Sequence, residues 1–151
     1  MRSAVFVLLA ASAAFAQQYN GPRPEKPDLL YLVHADNLIP TEMLEARQEK
    51  MTFIVPGASS PARTPLAEPI FLIQSDKINP QSLELYKMEV KGGRREVTIS
   101  PKRGRGSKVL RLTVTPLDGK LYKVEADQEL ENGQYAISPN GSNTVFCFEI
   151  Y

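Results

Sequence analysis

The 151-residue sequence has one cysteine, one histidine and no tryptophan, and each scarcity removes a class of protein. With Cys147 as the only thiol, no intrachain disulfide can form, so even in an oxidising compartment the fold must rest on packing. With His34 as the only imidazole, a zinc site built from cysteine and histidine lacks its ligands, and further metal ligands would have to be carboxylates. The missing tryptophan and cysteine pair exclude an antibody-type core. Charge of one sign is missing too: 18 Lys and Arg face 17 Asp and Glu, which gives no global attraction for nucleic acid or an anionic membrane. Nor is there a serine elbow (Gly-x-Ser-x-Gly), a zinc-protease helix or a phosphate loop.

What is present begins with residues 1–16, MRSAVFVLLAASAAFA. Arg2 forms a basic start, residues 4–15 carry no charge, and Ala14-Phe15-Ala16 places small residues at both positions read at a cleavage site. The apolar stretch is shorter than the about 20 residues that a spanning helix needs, and polar, proline-rich sequence follows it. These features predict a secretory signal cleaved after Ala16, a mature chain starting at Gln17, and no stable membrane insertion. No cysteine stands at the cleavage site for a lipid anchor, so a soluble product in a periplasm or outside the cell is expected. Residues 17–27 hold three prolines, one glycine and no aliphatic side chain, which predicts a flexible lead-in. Residues 28–151 are long enough for a single domain with its own core.

Apolar residues in that domain come in short runs between turn signals. Residues 29–33 predict a first strand closed by Asp36-Asn37. Residues 41–50 contain helix-favouring side chains, but Met43, Leu44 and Ala46 make an apolar stripe barely one turn long. A strand that turns near Gln48 and returns through residues 51–55 agrees better with its neighbours, with helix the competing reading. Residues 56–69 (PGASSPARTPLAEP) carry prolines at 56, 61, 65 and 69 and predict a long connection, either a contact loop or a strap between sheets. Beyond it lies a strand at 70–73, then one at 83–90 with Tyr86, Met88 and Val90 on one face. The Gly92-Gly93 turn leads into 95–100. Leu110, Leu112 and Val114 alternate before an Asp118-Gly119 turn, and Tyr122, Val124 and Ala126 alternate on the return. Tyr135 with Ile137, and Phe146 with Phe148 and Ile150, flank a dense turn at 139–143. Short strands with frequent turns and no helical crossover predict an all-β fold, an antiparallel β-sandwich.

Leu130-Glu131-Asn132-Gly133-Gln134-Tyr135 resembles the corner before the penultimate strand of immunoglobulin-like domains. The resemblance implies an immunoglobulin-like general architecture, with the Tyr135 hydroxyl bonding back to the backbone. The chain also resembles exported bacterial proteins that carry a Pro-Gly-Ala-x-Ser-Pro-Ala-Arg-Thr-Pro-Leu loop and end in Ser-Asn-x-x-Phe-Cys-Phe, a resemblance that implies no activity.

Few residues stand out as chemistry. His34 and Asp36 share one side of a strand and suit a metal in principle, although a strand-end histidine is more often a hydrogen-bonded structural residue. Cys147 between Phe146 and Phe148 reads as an inert buried thiol rather than a nucleophile for His34. Lys91, Arg94 and Arg95 flank the Gly-Gly turn, while Lys102, Arg103, Arg105 and Lys108 fill PKRGRGSK, about 20 Å away at the other end of a sheet. The second group suits a phosphate, a sulfated glycan or an acidic partner, or is a solvated loop that aids solubility. Lacking interleaved aromatics, it predicts no nucleic-acid partner. Asn140-Gly141-Ser142 fits a glycosylation sequon and equally a tight turn, and the turn is the reading taken. Ser59, Ser60, Arg63 and Thr64 are the candidate contacts of the 56–69 loop. No catalytic residue, metal or cofactor is predicted. The expectation is an exported, non-catalytic accessory or protein-interaction module that meets an envelope or secreted protein, with a carbohydrate- or polyanion-binding module as the alternative. A hydrolase is a third reading, which requires His34 beside a nucleophile or several carboxylates.

Overall fold

The computed structural model describes residues 18–100 and 106–151, so the expected signal segment 1–16, Gln17 and the candidates Lys102, Arg103 and Arg105 lie outside the described residues. The fold is all-β and sandwich-like. In chain order the strands are β1 Leu30–His34, β2 Asn37–Pro40, β3 Glu42–Glu45, β4 Arg47–Glu49 and β5 Thr52–Pro56. Then come β6 Arg63–Thr64, β7 Ile70–Gln74, a 3-10 turn at Pro80–Ser82, β8 Leu83–Lys87, β9 Glu89–Lys91 and β10 Arg94–Thr98. The last are β11 Val109–Leu110, β12 Leu112–Asp118, β13 Leu121–Ala126, β14 Gly133–Pro139 and β15 Thr144–Ile150.

Three antiparallel sheets result. The first has the order β12-β13-β7-β1-β2, the central one β11-β8-β14-β15-β3, and the third β4-β5-β10-β9. Alternation along β14 and β15 explains the stacking, because successive side chains leave a strand on opposite faces. Tyr135, Ile137, Phe146, Phe148 and Ile150 pack with Leu30, Leu32, Phe71, Ile73 and Val124 of the first sheet. Phe148 is the hub, edge-on to Phe71 at 4.9 Å and stacked on Tyr135 at 5.5 Å between ring centroids. The intervening Ala136, Val145 and Cys147 pack with Val55 and Val97 of the third sheet. The central sheet is thus buried on both faces, which is why β14 and β15 are buried almost throughout. The bond implied by the tyrosine corner forms, with Tyr135 Oη donating to the Glu131 carbonyl at 2.7 Å.

Two strands of the central sheet run on into the third. β3 becomes β4 at Ala46 and β8 becomes β9 at Met88, both with buried side chains. Residues 41–50 are therefore strand, not helix. The single strand expected at 83–90 is corrected to two: Lys87 pairs with Tyr135 in the central sheet, while Glu89 pairs with Glu96 in the third. The first turn shifts as well. Ala35-Asp36 forms it, with Ala35 at φ 53°, and Asn37 already pairs with His34. The Gly92-Gly93 turn is as expected, both glycines at positive φ, as a two-residue hairpin that matches the twist of its strands requires.

Residues 56–69 are a strap that leaves the third sheet and reaches the first by crossing the edge of the central one. There β6 pairs parallel with β15 just beyond the stretch that β3 covers. The described part of the lead-in is tied to the first sheet by Arg23, which pairs with Asp118 at 2.6 Å, and by the Lys26 amide, which donates to Tyr31 Oη at 3.1 Å.

Candidate functional site

The two core layers differ in filler. Towards the first sheet the central strands send aromatic rings; towards the third they send Ala136, Val145 and Cys147. Smaller side chains leave the second layer open at the end where the β14–β15 turn lies, and a cleft of about 630 Å³ enters there. Its third-sheet wall is Phe53, Val97 and Ile99, and its central-sheet wall is Tyr86, Ala136 and Val145. Phe53, Tyr86 and Ile99 are only half-buried, and Met51 and Val109 at the rim are 46% and 55% exposed.

One carboxylate faces this apolar space. Glu84 and Tyr86, two apart on β8, share the face turned to the third sheet. Tyr86 Oη donates to Glu84 Oε2, and Asn140 Nδ2 from the β14–β15 turn donates to Glu84 Oε1 at 2.9 Å. Burial raises the Tyr86 pKa and the hydrogen bond to Glu84 raises it further, so the phenol stays neutral. The described lining contains Glu84 and no Lys or Arg. Other polar lining groups are committed to the frame: Ser138 Oγ donates to the Thr144 carbonyl at 2.7 Å, and Ser107 Oγ accepts from the Thr98 amide at 2.9 Å.

The sequence-derived candidates among the described residues fall elsewhere. In the strap, Ser60 and Thr64 are buried and only Ser59 and Arg63 reach the surface. Buried backbone needs partners as it crosses a sheet edge. Ser60 supplies them: its amide donates to Gln134 Oε1 at 2.9 Å, and its hydroxyl donates to the Cys147 carbonyl and accepts from the Ala62 amide, each at 3.2 Å. Arg63 pairs with Glu149 at 2.9 Å and lies 4.1 Å over the Tyr151 ring. Lys108 is exposed and does not line the cleft.

Arg95, one of the three bases that flank the Gly92-Gly93 turn, is 1% exposed. It shares its face of β10 with Val97, and its guanidinium donates to Glu42 Oε1 at 2.7 Å and to the carbonyls of Pro56 and Gly57 at 2.7 and 3.0 Å. Cys147 is buried, and its thiol is pushed up to about 12 by burial, with Arg95 opposing and Glu42 adding to the shift. His34 and Asp36 are exposed at the β1–β2 turn of the first sheet, whereas Cys147 faces the third, so the structure does not bring His34 and Cys147 together. No group of three His, Cys, Asp or Glu able to hold a metal occurs among the described residues.

Reading the sequence in order misses the cleft because its walls come from positions 48 to 145. The one local signal is the Glu84 and Tyr86 pair, an acid and an aromatic two apart on a strand. Comparison of the chain with family models, curated proteins and solved structures finds no match.

Proposed function

We propose that the chain is an exported, non-catalytic binding module whose binding surface is the cleft between the central and third sheets, and whose ligand is a small molecule with an apolar body. The incomplete cover over Phe53, Tyr86 and Ile99, with Met51 and Val109 exposed beside them, carries this reading. Contiguous exposed apolar surface marks a binding site, and the cleft volume falls in the range of roughly 300–1,000 Å³ typical of small-ligand pockets. Export rests on the features of residues 1–16 and goes with a periplasmic or secreted location. The Tyr135 corner supports an immunoglobulin-like reading of the two larger sheets.

Contact with an envelope or secreted protein through the strap now rests on Ser59 and Arg63, since Ser60 and Thr64 are committed to the interior. A glycan in the cleft would draw on Gln48, Asn140 and Asn143, but most of the wall is apolar. Glu84 opposes a polyanion there.

The test is a fluorescence titration with Nile red, a neutral dye. Saturable single-site binding is expected, and Val109→Trp, which adds bulk at an exposed rim position, should weaken it about tenfold, equivalent to ~1.4 kcal/mol. Absence of saturable binding, or binding indifferent to the rim substitution, overturns the reading.

A further inference from the structure

Building on the cleft as the binding site, we infer that its ligand is an organic monocation, an ammonium carried on an apolar body, with Glu84 as the counter-ion. Both Glu84 oxygens already accept a bond, but the donors, Tyr86 and Asn140, are neutral, so neither bond neutralises the negative charge of the carboxylate. A carboxylate has about four acceptor sites, and two remain. The single Tyr86 proton is committed to Glu84, which leaves its oxygen an acceptor only.

This patch of wall therefore offers Glu84, Tyr86 Oη and Asn140 Oδ1 as acceptors, with one spare Asn140 N–H as donor. A ligand group that fits must donate. An ammonium brings three donors and a positive charge, an alcohol brings one donor and no charge, and a carboxylate meets acceptors and like charge. The half-buried rings of Tyr86 and Phe53 add attraction for a cation over their faces. The aliphatic walls, Val97, Ile99 and Val145, take the ligand body.

The experiment displaces Nile red with three probes of equal chain length: octylammonium, octanol and octanoate. Octylammonium should bind at least about tenfold tighter than octanol, and octanoate weakest. Glu84→Gln keeps the shape and an acceptor oxygen but removes the charge. It should abolish the ammonium advantage while leaving octanol within about twofold. Gln48→Lys, at an exposed lining position, places a cation at the mouth and should weaken octylammonium while strengthening octanoate, a check that stands even if the Glu84 variant fails to fold. Dye binding with no preference for ammonium, or a preference that survives the loss of the Glu84 charge, overturns the inference and leaves the cleft standing. Failure of the dye itself to bind removes the cleft reading and the inference together.

Discussion

Among the described residues the largest fully buried side chain belongs to an arginine, Arg95, and its partners decide what the fold tolerates. A buried cation is sustained by its counter-ion and acceptors, here Glu42 and two strap carbonyls. Glu42→Ala should lower unfolding free energy by about 3 kcal/mol in urea, because the guanidinium stays buried without its charge partner. Arg95→Met combined with Glu42→Leu should recover most of that loss; a double variant as unstable as the single one would show that geometry, not charge, is at stake. Asp28 is the second such residue. It sits at φ 57°, and its carboxylate accepts from the amides of Asp76, Lys77 and Ile78 at 2.9 to 3.1 Å. Burial works against its charge, but the three amides and nearby Lys77 outweigh it and hold its pKa below the ordinary 3.8. A depressed folded pKa stabilises the fold fully above the unfolded value, and that stability is lost as pH falls through the folded one. Asp28→Asn tolerates the left-handed backbone, so it should be less stable than the parent at pH 7 and match it once the parent's carboxyl is protonated. A gap that persists in acid would count against the charge as the cause.

At the scale of elements, the strap and the strand bends separate what the sequence makes legible from what it hides. Hairpins were legible, since β12–β13 and β9–β10 carry alternating apolar residues around a glycine turn, at Gly92-Gly93 as expected and at Gly119-Lys120, one residue on from the expected Asp118-Gly119 because Asp118 still pairs with Leu121. The bend at Met88 was not. Tyr86, Met88 and Val90 keep their alternation through it, and alternation records which way a side chain points without recording which sheet it points from. The strap misled for a related reason: its prolines mark an extended connection, and nothing local says that Ser60 and Thr64 turn inward. Deleting residues 57–68 should therefore unfold the domain, because it removes β6 from the edge of β15 together with the buried Ala62. Ser60→Ala should cost about 1–3 kcal/mol, the penalty for unsatisfied backbone groups beside it. Ser59→Ala and Arg63→Ala should leave the melting temperature within a degree or two of the parent's, which makes them the right probes of a strap-borne partner. A deletion that still melts cooperatively would show the strap to be an appendage.

The whole molecule is two unequal cores sharing one sheet, and that inequality is the part of the design the sequence concealed most. Phe146, Cys147 and Phe148 announce a buried strand, but only the third sheet, arriving from residues 47–56 and 89–98, turns the thiol side of that strand into a second core. The cleft follows from that assembly, so no stretch of sequence contains it. Stability should be graded accordingly, since regions with fewer buried contacts open first. Every residue of β4 and β9, the edges of the third sheet, is exposed, whereas β14 and β15 are buried on both faces. Native-state hydrogen exchange should show β4 and β9 amides exchanging first and β14 and β15 last. A cleft ligand binds only where β5 and β10 stay docked on the central sheet, so saturation with a ligand should slow exchange in β5 and β10, leaving the first sheet unchanged except through global unfolding. Protection that rises equally in all three sheets below the global unfolding limit would mean that the third sheet does not open on its own, and that the cleft belongs to one cooperative unit rather than to the looser of two.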